Sequence, residues 1–109
     1  MRIKIGKDDT LHLKHNEIIA VVSGKTYKHF VSQIEEALVI TNDMGPFYDD
    51  MCLALRFENK DDLFIMSEHR DFQTFLFDQL GNSIKLNYEQ IINAASSFEN
   101  NIFPIYKKL

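Results

Sequence analysis

Tryptophan is absent from this 109-residue chain, and cysteine occurs once, at Cys52. A single cysteine cannot form an internal disulfide, which excludes the disulfide-stapled scaffolds of small secreted proteins and favours a reducing compartment. Long apolar runs are also missing. Charged side chains interrupt every apolar run after Met1, and none approaches the roughly 20 residues of a membrane span. We therefore predict a cytoplasmic protein with no membrane partner.

Basic residues are scarce as well. The chain has 12 Lys and Arg against 16 Asp and Glu, which gives a formal net charge of -4. Binding to nucleic-acid phosphates requires a basic stripe, so this balance argues against a nucleic-acid partner. A mildly acidic surface instead suits a basic protein partner.

The N-terminal half shows the patterns of short strands. Alternation and β-branched runs predict strands over residues 2–5, 11–14 and 18–22. We interpret Ser23-Gly24-Lys25 as a bulge or bend within a strand rather than its end. In the following segment Ser32-Gln33-Ile34-Glu35 matches a capping box, so we predict one helical turn near residues 32–36 and a strand over residues 37–41.

The C-terminal half begins with a predicted hairpin and continues with helices. Residues 51–57 and 63–66 alternate in hydrophobicity across a polar connection, which indicates two paired strands. A first helix is expected from its apolar stripe (Phe72, Phe75, Leu76, Leu80), with Asp71 as its cap and Gly81 as its end. A second helix is expected to begin at Asn87 and to bury a second stripe (Tyr88, Ile91, Ile92, Ala95, Phe98). Residues 103–106, which include Pro104, predict an edge strand or an extended tail.

This order of elements predicts the fold class. Segregated strands and helices indicate an α+β fold: a mainly antiparallel sheet of about five to six strands with two C-terminal helices packed on one face. The length fits one domain spanning residues 1–109.

The densest cluster of turn-forming residues lies at residues 41–50, between two apolar runs. Gly45 and Pro46 would brace this connection as a structural loop. It would display three carboxylates and two aromatic rings, which are the candidate protein-binding residues of the chain: Asp43, Phe47, Tyr48, Asp49 and Asp50. Aromatic side chains ringed by charge are typical anchors of protein interfaces. The alternative is that the same residues only form and cap a turn.

From Thr41 onward the chain resembles a family of small uncharacterised bacterial proteins. The resemblance rests on a loop of the form T-[DN]-x-G-P-[FW]-x-[DE]-D, with Thr41, Asn42, Gly45, Pro46, Phe47, Asp49 and Asp50 as the matching residues, followed by a hairpin and two Phe-rich helices. It covers about 70 residues, and only the loop is specific. Family members carry Trp near the loop and at the C-terminal end, where this chain has none. The resemblance implies the fold and the loop, and it carries no assigned activity.

Other chemistry-bearing residues form weaker patterns. Four histidines (His12, His15, His29 and His69) lack the spacing of a zinc motif, so we predict neither a metal site nor a cofactor. Cys52 falls in a predicted strand, and a buried, inert thiol is the favoured interpretation. Ser23-Gly24-Lys25-Thr26 resembles the end of a phosphate-binding loop, but the first glycine of that motif is missing. We predict no catalytic residue.

The pattern as a whole favours a non-enzymatic protein-binding module that acts through the acidic-aromatic loop. One version neutralises a basic partner such as a toxin. Two alternatives stay open. The first is a small enzyme or ligand-binding protein that uses the Asp43–Asp50 loop, with an aspartate as base or cation ligand. The second is a structural subunit that self-associates as a homo-oligomer through an exposed strand edge.

Overall fold

The structure is a computed structural model of the chain, and it describes residues 1–41, 51–97 and 99–109. These residues form eight strands in two sheets. The strands are β1 (Arg2–Lys4), β2 (Thr10–Lys14), β3 (Glu17–Val22), β4 (Lys25–Phe30), β5 (Ile34–Thr41), β6 (Met51–Phe57), β7 (Asp62–Met66) and β8 (Asn101–Lys107).

Helical structure is limited to short pieces. A 3₁₀ turn at Val31–Gln33 precedes β5. π-helical turns at Thr74–Gln79 continue into a 3₁₀ turn at Leu80–Asn82, and together these form what we call the helical segment. The one α-helix among the described residues is α1 (Tyr88–Ala95). In the described part of the chain, no helix combines the length and apolar character needed to cross a membrane.

The larger sheet has five strands in the order β1-β7-β6-β5-β8. Its pairings are antiparallel except for β1, which runs parallel to β7 and pairs Arg2 with Asp62. β8 is an edge strand despite Pro104, because it needs a partner only on its β5 side. The smaller sheet has three antiparallel strands in the order β2-β3-β4.

The predicted fold class is therefore wrong. The prediction was a single sheet of five to six strands with two helices packed on one face. The described residues instead form eight strands in two sheets, with little helix. The sequence pattern does not predict β4 as a separate strand, because Ser23-Gly24-Lys25 is interpreted as a bulge or bend within a strand rather than its end. The difference arises at Ser23-Gly24, which ends β3: both residues have positive φ (50° and 81°). Two such residues form the type of tight turn whose twist suits a two-residue hairpin.

The hairpin from β2 to β3 is built in the same way. His15 (φ 53°) and Asn16 (φ 63°) connect the two strands. Two tight turns in succession fold residues 10–30 into a separate meander. This local pairing draws the N-terminal strands away from the larger sheet, except for β1.

The other local predictions have mixed outcomes. Asn87 caps α1 as predicted, because its side chain accepts a hydrogen bond from the Gln90 N–H. The stripe of α1 was wrong in phase: Ile91 and Ala94 are buried, whereas Tyr88 and Ile92 are exposed. The capping box at residues 32–35 is absent from the described structure, since Gln33 instead accepts a hydrogen bond from the Phe30 N–H. The single helical turn predicted near residues 32–36 is present slightly earlier, as the 3₁₀ turn Val31–Gln33, and residues 34–36 belong to β5 instead.

The core lies between the two sheets and the helical pieces. It contains Leu11 and Ile18 of the smaller sheet, Leu53 and Leu55 of the larger sheet, and the helical side chains Phe72, Phe75, Leu76, Leu80 and Ile91. The four predicted core residues of the first helix are therefore buried. Because all helical pieces pack toward this core, the larger sheet turns only one of its faces toward it.

Candidate interaction surface

Strand register defines what the two faces of the larger sheet carry. Residues directly opposite each other on neighbouring strands point to the same face. Ala37, Val39, Leu53, Leu55 and Leu63 point inward and are fully buried. Their neighbours along each strand therefore point the other way, onto what we call the outer face.

The outer face carries two rows of apolar side chains, which we call the apolar rows. One row runs Phe64, Ala54, Leu38, Pro104, and the other runs Met66, Cys52, Ile40, Ile102. Leu38, Ile40, Phe64 and Met66 are half-buried, and Ile102 is 56% exposed. None of these eight residues belongs to the core cluster or packs against it. Within the described residues, no element covers this face.

A third row on the same face is charged. Across the five strands in order it runs Arg2, Asp62, Arg56, Glu36, Lys107, and each residue is the register partner of the next. We call it the charged row. Arg56 Nε lies 3.3 Å from Asp62 Oδ1, and Arg56 Nη1 lies 3.9 Å from Glu36 Oε1. Charge therefore alternates strand by strand, and the row borders the apolar rows on one side.

The opposite border of the apolar rows is a depression. It has a volume of about 460 Å³ and is lined by Ile40, Thr41, Asn100, Asn101 and Ile102. Thr41 is held there by a hydrogen bond from its hydroxyl to the Glu99 carbonyl, 2.7 Å. The outer face therefore combines an apolar centre, an alternating charged border and a recessed end. Within the apolar rows Ala54 is 8% exposed, and the other seven residues are half-buried or exposed. Contiguous apolar surface that reaches solvent in this way marks interaction sites in soluble proteins.

Every residue of the predicted binding loop lies outside the described residues. This holds for Asp43, Gly45, Pro46, Phe47, Tyr48, Asp49 and Asp50, because residues 42–50 are not described. The residues that flank the loop are described: Thr41 and Met51 pair with each other at the end of the sheet. This pair adjoins Ile40 and Cys52, so the loop joins the sheet beside the apolar rows.

His69 is a structural residue of the β2 edge. Its Nε2 lies 2.9 Å from the carbonyl oxygen of Asp9, and its Nδ1 accepts a hydrogen bond from the Asp71 N–H at 3.0 Å. A carbonyl oxygen only accepts, so Nε2 is the donor in the contact with Asp9. Asp71, predicted as a helix cap, instead accepts a hydrogen bond from the Leu11 N–H of β2. Both ring nitrogens of His69 are thus engaged in holding the chain together.

Asp9 fixes the approach to the same strand. Its carboxylate accepts hydrogen bonds from the Ser23 N–H at 3.0 Å and from the Gly6 N–H at 2.7 Å. These two bonds stabilise the ionised form and lower the pKa of Asp9. Next to it lies an open cavity of about 400 Å³, lined by Ile5, Lys7, Asp8, Met66, Glu68, His69 and Arg70. Its lining mixes charges of both signs and converges on no single ligand type.

His29 is the second buried histidine. Its ring stacks on Phe57 with centroids 4.1 Å apart, and its Nε2 lies 2.9 Å from Asp61 Oδ2. This hydrogen bond is the main reason why the pKa of Asp61 is lowered. No described group hydrogen-bonds to Nδ1 of His29. The pair joins β4 to the β6–β7 turn and lines neither of the cavities described above.

The remaining candidates are dispersed. His12 and His15 are exposed on β2 and its turn. Among the described residues, no three His, Cys, Asp or Glu side chains are grouped so that they could hold a metal ion. Cys52 is half-buried on the outer face rather than buried in the core. Sequence patterns missed this face because its apolar residues are spread over four strands, and only the register brings them together.

No protein-family model, curated protein or solved structure matches this chain. The resemblance to small bacterial proteins therefore stays a prediction.

Proposed function

We propose that this protein is a non-enzymatic protein-binding module whose binding surface is the outer face of the larger sheet. The observation that carries the proposal is the pair of apolar rows on a face that no described element covers. Antiparallel sheets commonly turn one face to solvent, but that face is then polar. Here the polar side chains are those of the charged row and of Lys4, which lies beside Phe64 at the end of one apolar row. A partner would therefore still remove apolar surface from water and gain the free energy of that burial.

The sequence pattern predicts a basic partner that is neutralised through the acidic-aromatic loop. This prediction rests on Asp43, Asp49 and Asp50 and on the net charge of -4. The outer face adds nothing to it: the charged row has three positive and two negative side chains. We retain a basic partner as a proposal for the loop alone. The single cysteine favours placing this binding in the cytoplasm.

Affinity capture from native lysate tests the proposal with matched variants. Leu38→Asp places a charge in the centre of the apolar rows. Ile92→Asp makes the same kind of change on α1, where Ile92 is 65% exposed and away from the sheet face. We expect proteins retained by the wild type to be retained by Ile92→Asp and reduced at least tenfold by Leu38→Asp, because a charge buried at an interface centre is unpaired.

Two further arms complete the design. Ile102→Asp makes a milder change, since this edge residue is already exposed, and it keeps the test valid if Leu38→Asp disturbs folding. Elution at high salt separates the surfaces, because contacts of the apolar rows survive screening whereas contacts of an acidic loop do not. Equal recovery with all four proteins would overturn the outer face as the binding surface.

A further inference from the structure

The size and charge pattern of the outer face indicate what covers it. We propose that the outer face is covered by a second copy of this chain, packed sheet against sheet around a two-fold axis. This inference rests on the proposed function of the outer face as a binding surface, and it names the partner.

The width of the face selects among occupants. Five strands spaced about 4.8 Å apart give a width of about 24 Å, and three rows of side chains extend about 20 Å along the strands. A single helix, about 10 Å across, would cover less than half of that width. A peptide added as a strand would bind at a sheet edge and leave the face open. A second sheet covers most of the face, and a second copy supplies one.

The charged row fits such a two-fold arrangement. Consider an axis parallel to the strands that passes between β5 and β6. It places Arg56 opposite the partner's Glu36, and Asp62 opposite the partner's Lys107, with the reciprocal pairs formed at the same time. Charge alternates strand by strand, so the position of the axis decides which charges meet. An axis over β6 would place like charges opposite one another, whereas the axis between β5 and β6 places opposite charges there.

The apolar rows are complementary in size about the same axis. It places Leu38 opposite the partner's Ala54, and Ile40 opposite the partner's Cys52. In these two central pairs a large side chain faces a small one, which is how side chains of two packed sheets interdigitate about 10 Å apart. In the outer pairs, Phe64 faces the partner's Pro104 and Met66 faces the partner's Ile102. One axis thus satisfies the charge pattern on all four overlapping strands and the size pattern on the two central ones.

The expected interface is small. About this axis four of the five strands overlap and β1 stays uncovered. The projected area of about 400 Å² on each copy gives about 800 Å² in total, below the usual size of a stable specific interface. Self-association should therefore be reversible and concentration-dependent. Sedimentation velocity of the full chain, from low micromolar to about 1 mM, measures it at the weak affinities expected for this size.

A charge-exchange experiment tests the axis itself. In a homodimer of either Glu36→Lys or Arg56→Glu, like charges lie opposite one another at two places. Each variant alone should therefore self-associate roughly tenfold more weakly than the wild type, which is the effect expected of about one pair of repulsive contacts. Mixed together, the two variants form only opposite-charge pairs across the axis. The mixture should therefore regain wild-type association as a heterodimer.

The mixture also controls for folding. Each variant loses the cross-strand attraction between positions 36 and 56 within its own chain, and mixing cannot restore that contact. Circular dichroism of the separate variants shows whether they are folded. Regained association on mixing supports the inference, and a mixture that stays as weak as its components overturns it.

The two proposals fail in different ways. A wild-type chain that stays monomeric at every concentration, yet retains another protein through Leu38, overturns the second copy as occupant and keeps the binding surface. A dimer that Leu38→Asp leaves intact, with unchanged recovery of all other proteins, overturns both.

Discussion

At the residue scale, the contact between His29 and Asp61 is a hydrogen bond between two largely enclosed side chains. His29 is 4% exposed and Asp61 is 17% exposed on its side chain, so the hydrogen bond between them is shielded from water. Asp61 also accepts a hydrogen bond from the Asn59 side chain at 3.1 Å. One carboxylate therefore organises the β6–β7 turn and anchors β4 against it.

Removal of this carboxylate should destabilise the fold. Asp61→Ala leaves Nε2 of a buried ring without its partner, and an unsatisfied buried polar group costs about 1–3 kcal/mol of unfolding free energy. Asp62→Ala is the matched control, because it removes only a surface ion pair to Arg56, which contributes about 0–1 kcal/mol. Urea unfolding of both variants measures the difference, and equal losses would show that the His29 contact contributes nothing.

The same contact predicts an acid dependence. The pKa of Asp61 is lowered by its hydrogen bond with His29, so the folded state binds its proton less readily than the unfolded state. The stabilisation is therefore fully present above the ordinary carboxyl pKa and is lost as pH falls through the lowered value. We expect the stability gap between the wild type and Asp61→Ala to be constant from pH 7 to about 5 and to shrink below about 4. Urea titrations across this range would contradict the prediction if the gap persisted at the acid end.

At the element scale, the turn between β3 and β4 decides that the smaller sheet exists. Ser23 has a φ of 50°, a left-handed conformation that costs a non-glycine residue free energy, and Gly24 has a φ of 81°. Nothing lies within 4 Å of a Cβ built on Gly24, so the positive φ of this residue, and not steric contact, restricts its substitution. The preferred pair for such a turn is Asn-Gly.

Two substitutions in this turn should therefore act in opposite directions. Ser23→Asn should stabilise the fold by about 0.5 kcal/mol, since asparagine tolerates the left-handed conformation and the Ser23 N–H to Asp9 is kept. Gly24→Ala should destabilise it by about 1 kcal/mol or more. Thermal unfolding followed by circular dichroism measures both changes. Shifts of the same sign would contradict the turn assignment.

The β2 edge is a second element whose pairing is completed by side chains. The Leu13 N–H donates to Gln79 Oε1 at 2.7 Å, and the Leu11 N–H donates to Asp71 Oδ2 at 3.1 Å. The helical segment therefore takes the place of a fourth strand along this edge. An exposed edge would otherwise be a template for pairing with another chain.

Gln79→Ala should open this edge locally. Loss of the hydrogen bond should cost about 0.5–1.5 kcal/mol and should increase amide hydrogen exchange at Leu13 more than at β3 positions. Gln73→Ala is the control, because Gln73 is an exposed neighbour in the same helical stretch. Unchanged protection at Leu13 in the Gln79 variant would show that the edge is held by other contacts.

At the scale of the whole molecule, one core serves two sheets, and the consequence is an uneven larger sheet. Its inner face packs against the smaller sheet, the helical segment and α1, whereas its outer face has no described cover. The net charge of -4 is not carried by that face, where the charged row and Lys4 together have four positive and two negative side chains. The self-complementary contact proposed there therefore depends on the alternation of charge within the row and not on the overall charge.

The local pattern of the sequence predicted much of the chain and little of its assembly. The hairpin of β6 and β7, the cap at Asn87 and the buried residues Phe75 and Leu80 follow from periodicity and capping chemistry, which act over a few residues. β4 was missed because its residues alternate weakly and because the positive φ of Ser23 has no strong signal in a serine. The second helix was mispredicted in phase because the strands on which α1 packs, β8 and β5, determine which side of the helix is buried.

The sequence by itself determined the composition, the net charge, the turn-rich segment at residues 41–50 and most of the strands, because each depends on residue type or on neighbours along the chain. The tertiary structure alone decided that these strands divide into two sheets and that a face with apolar rows and a charged row exists. Its members come from residues 2 to 107. Only strand register, which depends on pairing between distant segments, places them side by side.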